Sequence, residues 1–98
     1  MNKSDYKIKE NSFWAKLASH KLNAGSAAIV LGSTIHLFNI TKNDFVADTI
    51  LLKHELCHVK QFRQYGFTGF IIRYVWESIR HGYYNNRYEI EARNAKEL

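Results

Sequence analysis

The chain has 98 residues, of which 46% are apolar, so it is long enough for one small domain with its own core. Its single cysteine, Cys57, excludes an intrachain disulfide, and neither a signal-like apolar start nor an apolar stretch of roughly 20 residues is visible, so we expect a cytoplasmic protein. The net charge of +5 is scattered along the sequence, so we expect no specific nucleic-acid partner and do not favour contact with a membrane surface.

The first ten residues differ in character from the segment that follows them. Residues 1–10 are mostly charged and polar, so we expect a flexible or loosely packed N-terminus to a single domain of all 98 residues. Asn11 or Ser12 can cap a helix, and the large apolar residues of segment 13–22 recur at helical spacing. The sequence therefore predicts a first helix that ends near Asn23.

A pair of strands is predicted next. Ala27–Leu31 is a short apolar run, and Gly32 and Ser33 are typical turn residues. The segment from Thr34 to Ile40 is rich in β-branched and aromatic residues. Two such runs joined by a two-residue turn predict a β-hairpin.

A long helix is predicted after the hairpin. The polar segment from Thr41 to Asp44 indicates a loop, and the helix is expected to begin near Asp44 or Asp48. It should continue to Tyr65, because Gly66 lies where a C-terminal glycine cap belongs.

Two further helices complete the predicted fold. Residues 67–80 are dense in large apolar side chains and end before Gly82, which indicates a second helix. Asn85 or Asn86 can cap a last helix that runs from Arg87 to about Glu97. The predicted class is α+β and helix-rich, with a short hairpin followed by three helices.

The motif that carries chemistry is His54-Glu55-Leu56-Cys57-His58, which has the form H-E-x-x-H. Residues four apart share one face of a helix, so both imidazoles can reach one zinc ion. Glu55 would lie beside the metal and act as general base on a zinc-bound water. Shuffled chains of this composition would contain the pattern in roughly one or two cases per hundred. The apolar residues on both sides of the motif favour a real helix with a buried face.

A catalytic zinc site usually needs a third protein ligand beside the two histidines. A third histidine six residues after the motif is excluded, because that position is Gln64. The last predicted helix offers Glu89 and Glu91, and the chain between them and His58 is long enough for one helix and a return. From the residues alone, both glutamates stay open as the third ligand.

The H-E-x-x-H motif and the glutamates of the last helix also resemble the motifs of a known family. The run from His54 to Gln61, followed by Glu89-x-Glu91-Ala92, resembles the gluzincin metallopeptidases. It is most similar to their small single-domain members, to zincin-like domains of this size in bacteria, and to the Glu-x-x-Ala type of the HtpX-like and prenyl-protein peptidases. The resemblance implies a minimal zincin-like fold, a zinc cofactor, peptide-bond hydrolysis, and Glu89 in preference to Glu91 as third ligand.

The resemblance further implies how substrate and transition state are held. In zincins an edge strand above the active-site helix pairs with extended substrate, and the segment from Thr34 to Ile40 is the candidate for that strand. A tyrosine or histidine near the metal often stabilises the oxyanion, so His81, Tyr83 and Tyr84 are candidates for this role.

Two other functions stay open at this point. The chain departs from the family pattern at Arg93, where many relatives carry an aspartate that supports a zinc-binding histidine. This departure and the small size favour a zincin-like module that binds metal with little or no catalysis. The net charge of +5 supports a third hypothesis, a basic surface-binding module in which H-E-x-x-H is incidental.

Overall fold

The computed structural model describes residues 6–96 and confirms the predicted helix-rich α+β class. None of the helices in this range is long and apolar enough to cross a membrane. The elements in chain order are β1 (Lys7–Lys9), α1 (Phe13–Lys21), β2 (Ala27–Leu31), β3 (Thr34–Phe38), α2 (Lys42–Ala47), α3 (Thr49–Tyr65), α4 (Phe67–His81) and α5 (Arg87–Arg93).

The three strands form one mixed sheet in the order β1–β3–β2. The hairpin of β2 and β3 is antiparallel and is confirmed, with Ala27 opposite Phe38 and Leu31 opposite Thr34. Gly32 in its turn has a φ of +68°, a conformation that glycine adopts without steric cost. On its other side β3 pairs in parallel with β1.

Two features of the sheet differ from the sequence-based expectations. Lys7–Lys9 form a paired strand, although the N-terminus was expected to be loosely packed; residues 1–5 lie outside the described part of the chain. The segment from Thr34 to Ile40 was expected to supply an edge strand, but β3 is the central strand. Both differences have one cause, because the parallel pairing of β1 with β3 joins segments distant in sequence and no local pattern indicates it.

The helix starts follow local capping chemistry. The N-caps of α1, α3 and α5 are Ser12, Asp48 and Asn86, each the second residue of the predicted pair. Their side-chain oxygens accept hydrogen bonds from backbone N–H groups of the first turn, which have no partner inside the helix.

Two helix boundaries differ from the prediction. The polar segment expected to be a loop begins α2, since the Thr41 hydroxyl caps it by accepting from the backbone N–H of Asp44 at 3.1 Å. The last helix ends at Arg93 with Asn94 as its C-cap, short of the predicted end near Glu97, which lies outside the described residues.

The core is built around α3. The buried side of this helix packs against the sheet and against the other C-terminal helices, and the cluster consists of Val30, Ile35, Leu37, Phe45, Leu52, Leu56, Val59, Phe62, Phe70 and Tyr88. Because α4 and α5 both contribute to this cluster, α5 is held against the face of α3 that also carries the H-E-x-x-H motif.

Candidate metal centre

His54, His58 and Glu89 come together where α3 and α5 pack. The Nε2 atoms of His54 and His58 lie 3.2 Å and 3.3 Å from Oε1 of Glu89. One ligand atom from each of the three residues lies within 4.8 Å of the others. His58 and Glu89 are buried and His54 is half-buried. Two imidazole nitrogens and one carboxylate oxygen in this arrangement could hold a metal ion.

Helix geometry explains why these side chains meet. The two histidines are four residues apart on α3 and therefore lie on one face, one turn apart. The Asn86 cap starts α5 just before Glu89, so this glutamate lies in the first turn. The buried residues of α5 are Tyr88, Glu89 and Ala92, so the same face that packs against the core carries the carboxylate to the histidines.

Glu55 lies beside the cluster without belonging to it. Its Oε2 atom is 3.9 Å from Nε2 of His54, and its side chain is buried. Burial raises the pKa of Glu55 to about 7, although the two neighbouring histidines act in the opposite direction. A carboxylate with a pKa near neutrality is suited to accept a proton and release it again.

Glu89 is a carboxylate in a partly apolar site, yet it stays ionised. Burial alone would raise its pKa, but hydrogen bonds from His54, His58 and Tyr74 hold the pKa of Glu89 well below its usual range. Burial would lower the pKa of His58, and its contacts with Glu89 and Glu55 raise that pKa on balance. A metal ion bound here would therefore replace a proton on the imidazole.

Gln61 fixes the orientation of the His58 ring. Its amide nitrogen donates to the Tyr88 carbonyl at 3.1 Å and to Oε1 of Glu91 at 2.7 Å. Its amide oxygen therefore faces Nδ1 of His58, 2.8 Å away, and accepts a hydrogen bond from it. Because Gln61 keeps the proton on Nδ1, a metal ion would displace the proton on Nε2 and bind the lone pair that this leaves.

Replacement of Gln61 by methionine is expected to weaken metal binding by roughly 10–100-fold, because His58 loses the partner that sets its tautomer and orientation. Competition with a chromophoric chelator measures this affinity. Gln64→Met is the matched control, since Gln64 lies on the same helix and is exposed. Equal affinities for the two variants would contradict the role given to Gln61.

The other predicted site residues lie in different places. Glu91 is outside the cluster and accepts hydrogen bonds from Gln61 and, at 3.8 Å, from the Cys57 thiol. Tyr84 is exposed, and the guanidinium of Arg93 lies 4.2 Å from the centre of its ring. His81 is exposed at the end of α4.

Tyr83 differs from these residues, because it lines the cavity beside the cluster. Burial and the nearby charge of Glu89 raise the pKa of Tyr83 to about 12. Its hydroxyl therefore keeps its proton at neutral pH and can act as a hydrogen-bond donor.

The cavity above the cluster has a volume of about 470 Å³ and a mostly apolar wall. His54, Glu55, His58 and Glu89 form part of its wall, and the rest comes from α1, β2, α4, Phe62 and Tyr83. The candidate metal centre is therefore accessible from a space of the size that small ligands and side chains occupy.

Sequence reasoning missed two residues of the site, Gln61 and Tyr74. Gln61 is three residues after His58, a spacing that brings side chains together on a helix and could have been used to find it. Tyr74 donates from its hydroxyl to Oε2 of Glu89 at 2.5 Å. No local signal indicates this contact, because it depends on how α4 packs against α3 and α5.

Comparisons with models of protein families, with curated proteins and with solved structures gave no match for this chain.

Proposed function

We propose that this chain is a zinc-dependent metallopeptidase in which His54, His58 and Glu89 bind the metal and Glu55 is the general base. The observation that carries the proposal is the contact of both Nε2 atoms with one oxygen of Glu89, at 3.2 Å and 3.3 Å, beside the buried carboxylate of Glu55. Two histidines and a glutamate are the ligands of a well-known class of catalytic zinc sites.

The spacing of the ligand atoms supports zinc. In a tetrahedral site with bonds of about 2.0–2.1 Å, neighbouring ligand atoms are roughly 3.3 Å apart. Both contacts of Glu89 with the histidines have this length. Imidazole nitrogens suit zinc, whereas magnesium and calcium are bound almost entirely by oxygen ligands. Three protein ligands leave the fourth tetrahedral position open to water or substrate.

The residues around the metal have distinct roles in this proposal. Zinc in the site would polarise a substrate carbonyl and acidify a bound water. Glu55 accepts the proton of the attacking water and passes it to the leaving amine. Tyr83 lines the same cavity and is the candidate donor to the oxyanion, whereas His81 and Tyr84, the other two candidates from the sequence, do not line it.

We expect a peptide substrate to pair with β2, and not with the segment from Thr34 to Ile40 that was the candidate from the sequence. In the described residues β2 pairs with β3 on one side, and its residues 28–31 line the cavity. The unpaired edge of such a strand can add an extended peptide by backbone hydrogen bonds. The apolar wall of the cavity would take an apolar side chain next to the scissile bond.

The test is incubation of the zinc-loaded protein with a peptide library, followed by mass spectrometry of the products. We expect cleavage next to large apolar residues, its loss after a chelator, and its return with added zinc. A protein that carries a full complement of zinc and cleaves no peptide would contradict the peptidase and favour a metal-binding module instead.

A further inference from the structure

The two carboxylate oxygens of Glu89 have different partners, and the hydroxyl of Tyr74 is the partner of one of them. It donates to Oε2 at 2.5 Å, whereas Oε1 faces the Nε2 atoms of His54 and His58. We infer that Tyr74 is a positioning residue that makes Glu89 bind the metal through Oε1 alone. This inference rests on the proposed function, since it concerns the same metal site.

Binding through one oxygen matters for the geometry of the site. A carboxylate that used both oxygens would occupy an additional coordination position that a water or substrate carbonyl needs. Because Oε2 is engaged by Tyr74, Glu89 supplies one ligand atom and the site keeps three protein ligands. Outer hydrogen bonds of this kind fix ligand orientation and strengthen metal binding.

The surroundings of Tyr74 allow a clean test of the hydroxyl. Its ring packs edge-on against Phe70 and His58, with ring centres 5.8 Å and 6.4 Å away. Tyr74→Phe keeps these ring contacts and removes only the oxygen that reaches Glu89. Tyr84→Phe is the matched control, because Tyr84 loses the same oxygen at an exposed position outside the cluster.

The experiment measures zinc affinity by competition and the visible absorption of the cobalt-substituted protein. For Tyr74→Phe we expect affinity roughly 10–100-fold below wild type and the weaker cobalt bands of a higher coordination number. Wild type and Tyr84→Phe should share the intense bands of a tetrahedral ion. An unchanged cobalt spectrum in Tyr74→Phe would overturn the inference even if affinity falls. Failure of the wild type to bind either metal would instead overturn the proposed function.

The outer face of α4 is a separate feature, independent of the metal site. Ile72, Val75, Trp76 and Ile79 are 63%, 49%, 56% and 72% exposed. Their spacing places them in one stripe along the helix, on the side away from Phe70, and no described residue covers it. An exposed apolar stripe of this length indicates a docking surface. Contact with a membrane surface was not favoured from the scattered charge of the sequence, and these exposed residues reopen the question.

The charges beside this stripe indicate which kind of partner docks on it. Arg73 and Arg80 lie along one flank of it, and the Arg80 guanidinium is 5.8 Å from the centre of the Trp76 ring. The chain carries a net charge of +5, so two copies would repel each other, whereas acidic lipid headgroups would attract it. Tryptophan and arginine beside an apolar stripe are typical of helices that lie in the membrane interface. We propose that the outer face of α4 docks on an anionic lipid bilayer.

This orientation leaves the catalytic cavity free. Phe70 and Tyr74 line the cavity from the inner face of α4, on the opposite side of the helix from the centre of the stripe, and Ile71 lies between the two faces. A bilayer under the outer face would therefore not cover the metal site.

The test is co-sedimentation with phosphatidylcholine vesicles that do or do not contain phosphatidylglycerol. We expect the wild type to bind the acidic vesicles, less so at high salt. The double variant Ile72→Ser/Ile79→Ser should bind at least about tenfold more weakly, because it buries less apolar surface. Ile50→Ser is the matched control, since Ile50 is 81% exposed on α3, outside the stripe.

Three results would overturn the bilayer proposal. The first is no binding of the wild type to acidic vesicles, and the second is an equal loss in Ile50→Ser and the double variant. The third is a solution mass that doubles with concentration in the wild type but not in the double variant. That result would assign the stripe to a second copy of the chain.

Discussion

Glu55→Gln is expected to keep its zinc and to hydrolyse peptides roughly 10²–10⁴-fold more slowly than the wild type. The amide has almost the same shape as the carboxylate, so the buried position beside His54 is filled as before. It cannot accept a proton from water, however, and the attacking nucleophile is no longer generated. Rates of cleavage and zinc content, measured on the same preparations, test this prediction.

The control for this substitution is Glu10→Gln, which makes the same chemical change far from the site. Glu10 accepts a hydrogen bond from the backbone N–H of Lys42 and does not line the cavity. It should retain wild-type rates. If Glu55→Gln also retained them, Glu55 would not be the base, and the role would have to pass to another group in the cavity.

Zinc is expected to stabilise the folded protein strongly. The three ligands come from two helices that meet only in the folded chain, so the ion binds the native state in preference to the unfolded one. Zinc at a thousand times its dissociation constant would add about 4 kcal/mol to the free energy of unfolding. For a domain of this size the melting temperature would rise by roughly 15–30 °C.

Calorimetry with and without a chelator measures this shift, and His58→Ala shows whether it comes from the site. The variant lacks one of the ligands, so its melting temperature should hardly respond to zinc. An equal rise in wild type and His58→Ala would mean that zinc acts elsewhere on the chain, and no rise in the wild type would contradict a metal site at this position.

The features predicted from the sequence are those that local chemistry determines. The hairpin follows from two apolar runs around Gly32 and Ser33, and the start of α3 follows from a capping residue at Asp48. The H-E-x-x-H motif is itself local, because helical spacing alone places His54 and His58 on one face.

Other features depend on packing between distant segments. The apolar spacing along α1 predicted a helix but not its buried side, because Phe13 and Trp14 are 66% and 53% exposed while Ala15 and Ser19 face inward. The parallel pairing of β1 and the contact of Tyr74 with Glu89 likewise join elements with no shared local signal.

The choice between Glu89 and Glu91 as the third metal ligand also depends on packing between distant segments. Residues two apart on a helix point about 200° apart, so only one of the two can reach His54 and His58. Which one does so depends on the face that α5 packs inward, and Tyr88 and Ala92 set that face. The structure brings Glu89 to the histidines and leaves Glu91 at the outer side, beside Gln61.

The zinc content of the purified protein, measured beside His58→Ala, Glu89→Ala and Glu91→Ala, tests the central claim most directly. The account predicts about one zinc per chain in the wild type and in Glu91→Ala, and loss of the metal in the other two variants. A wild type that holds no zinc at neutral pH, even after reconstitution, would contradict both the peptidase and any metal-binding module at this site.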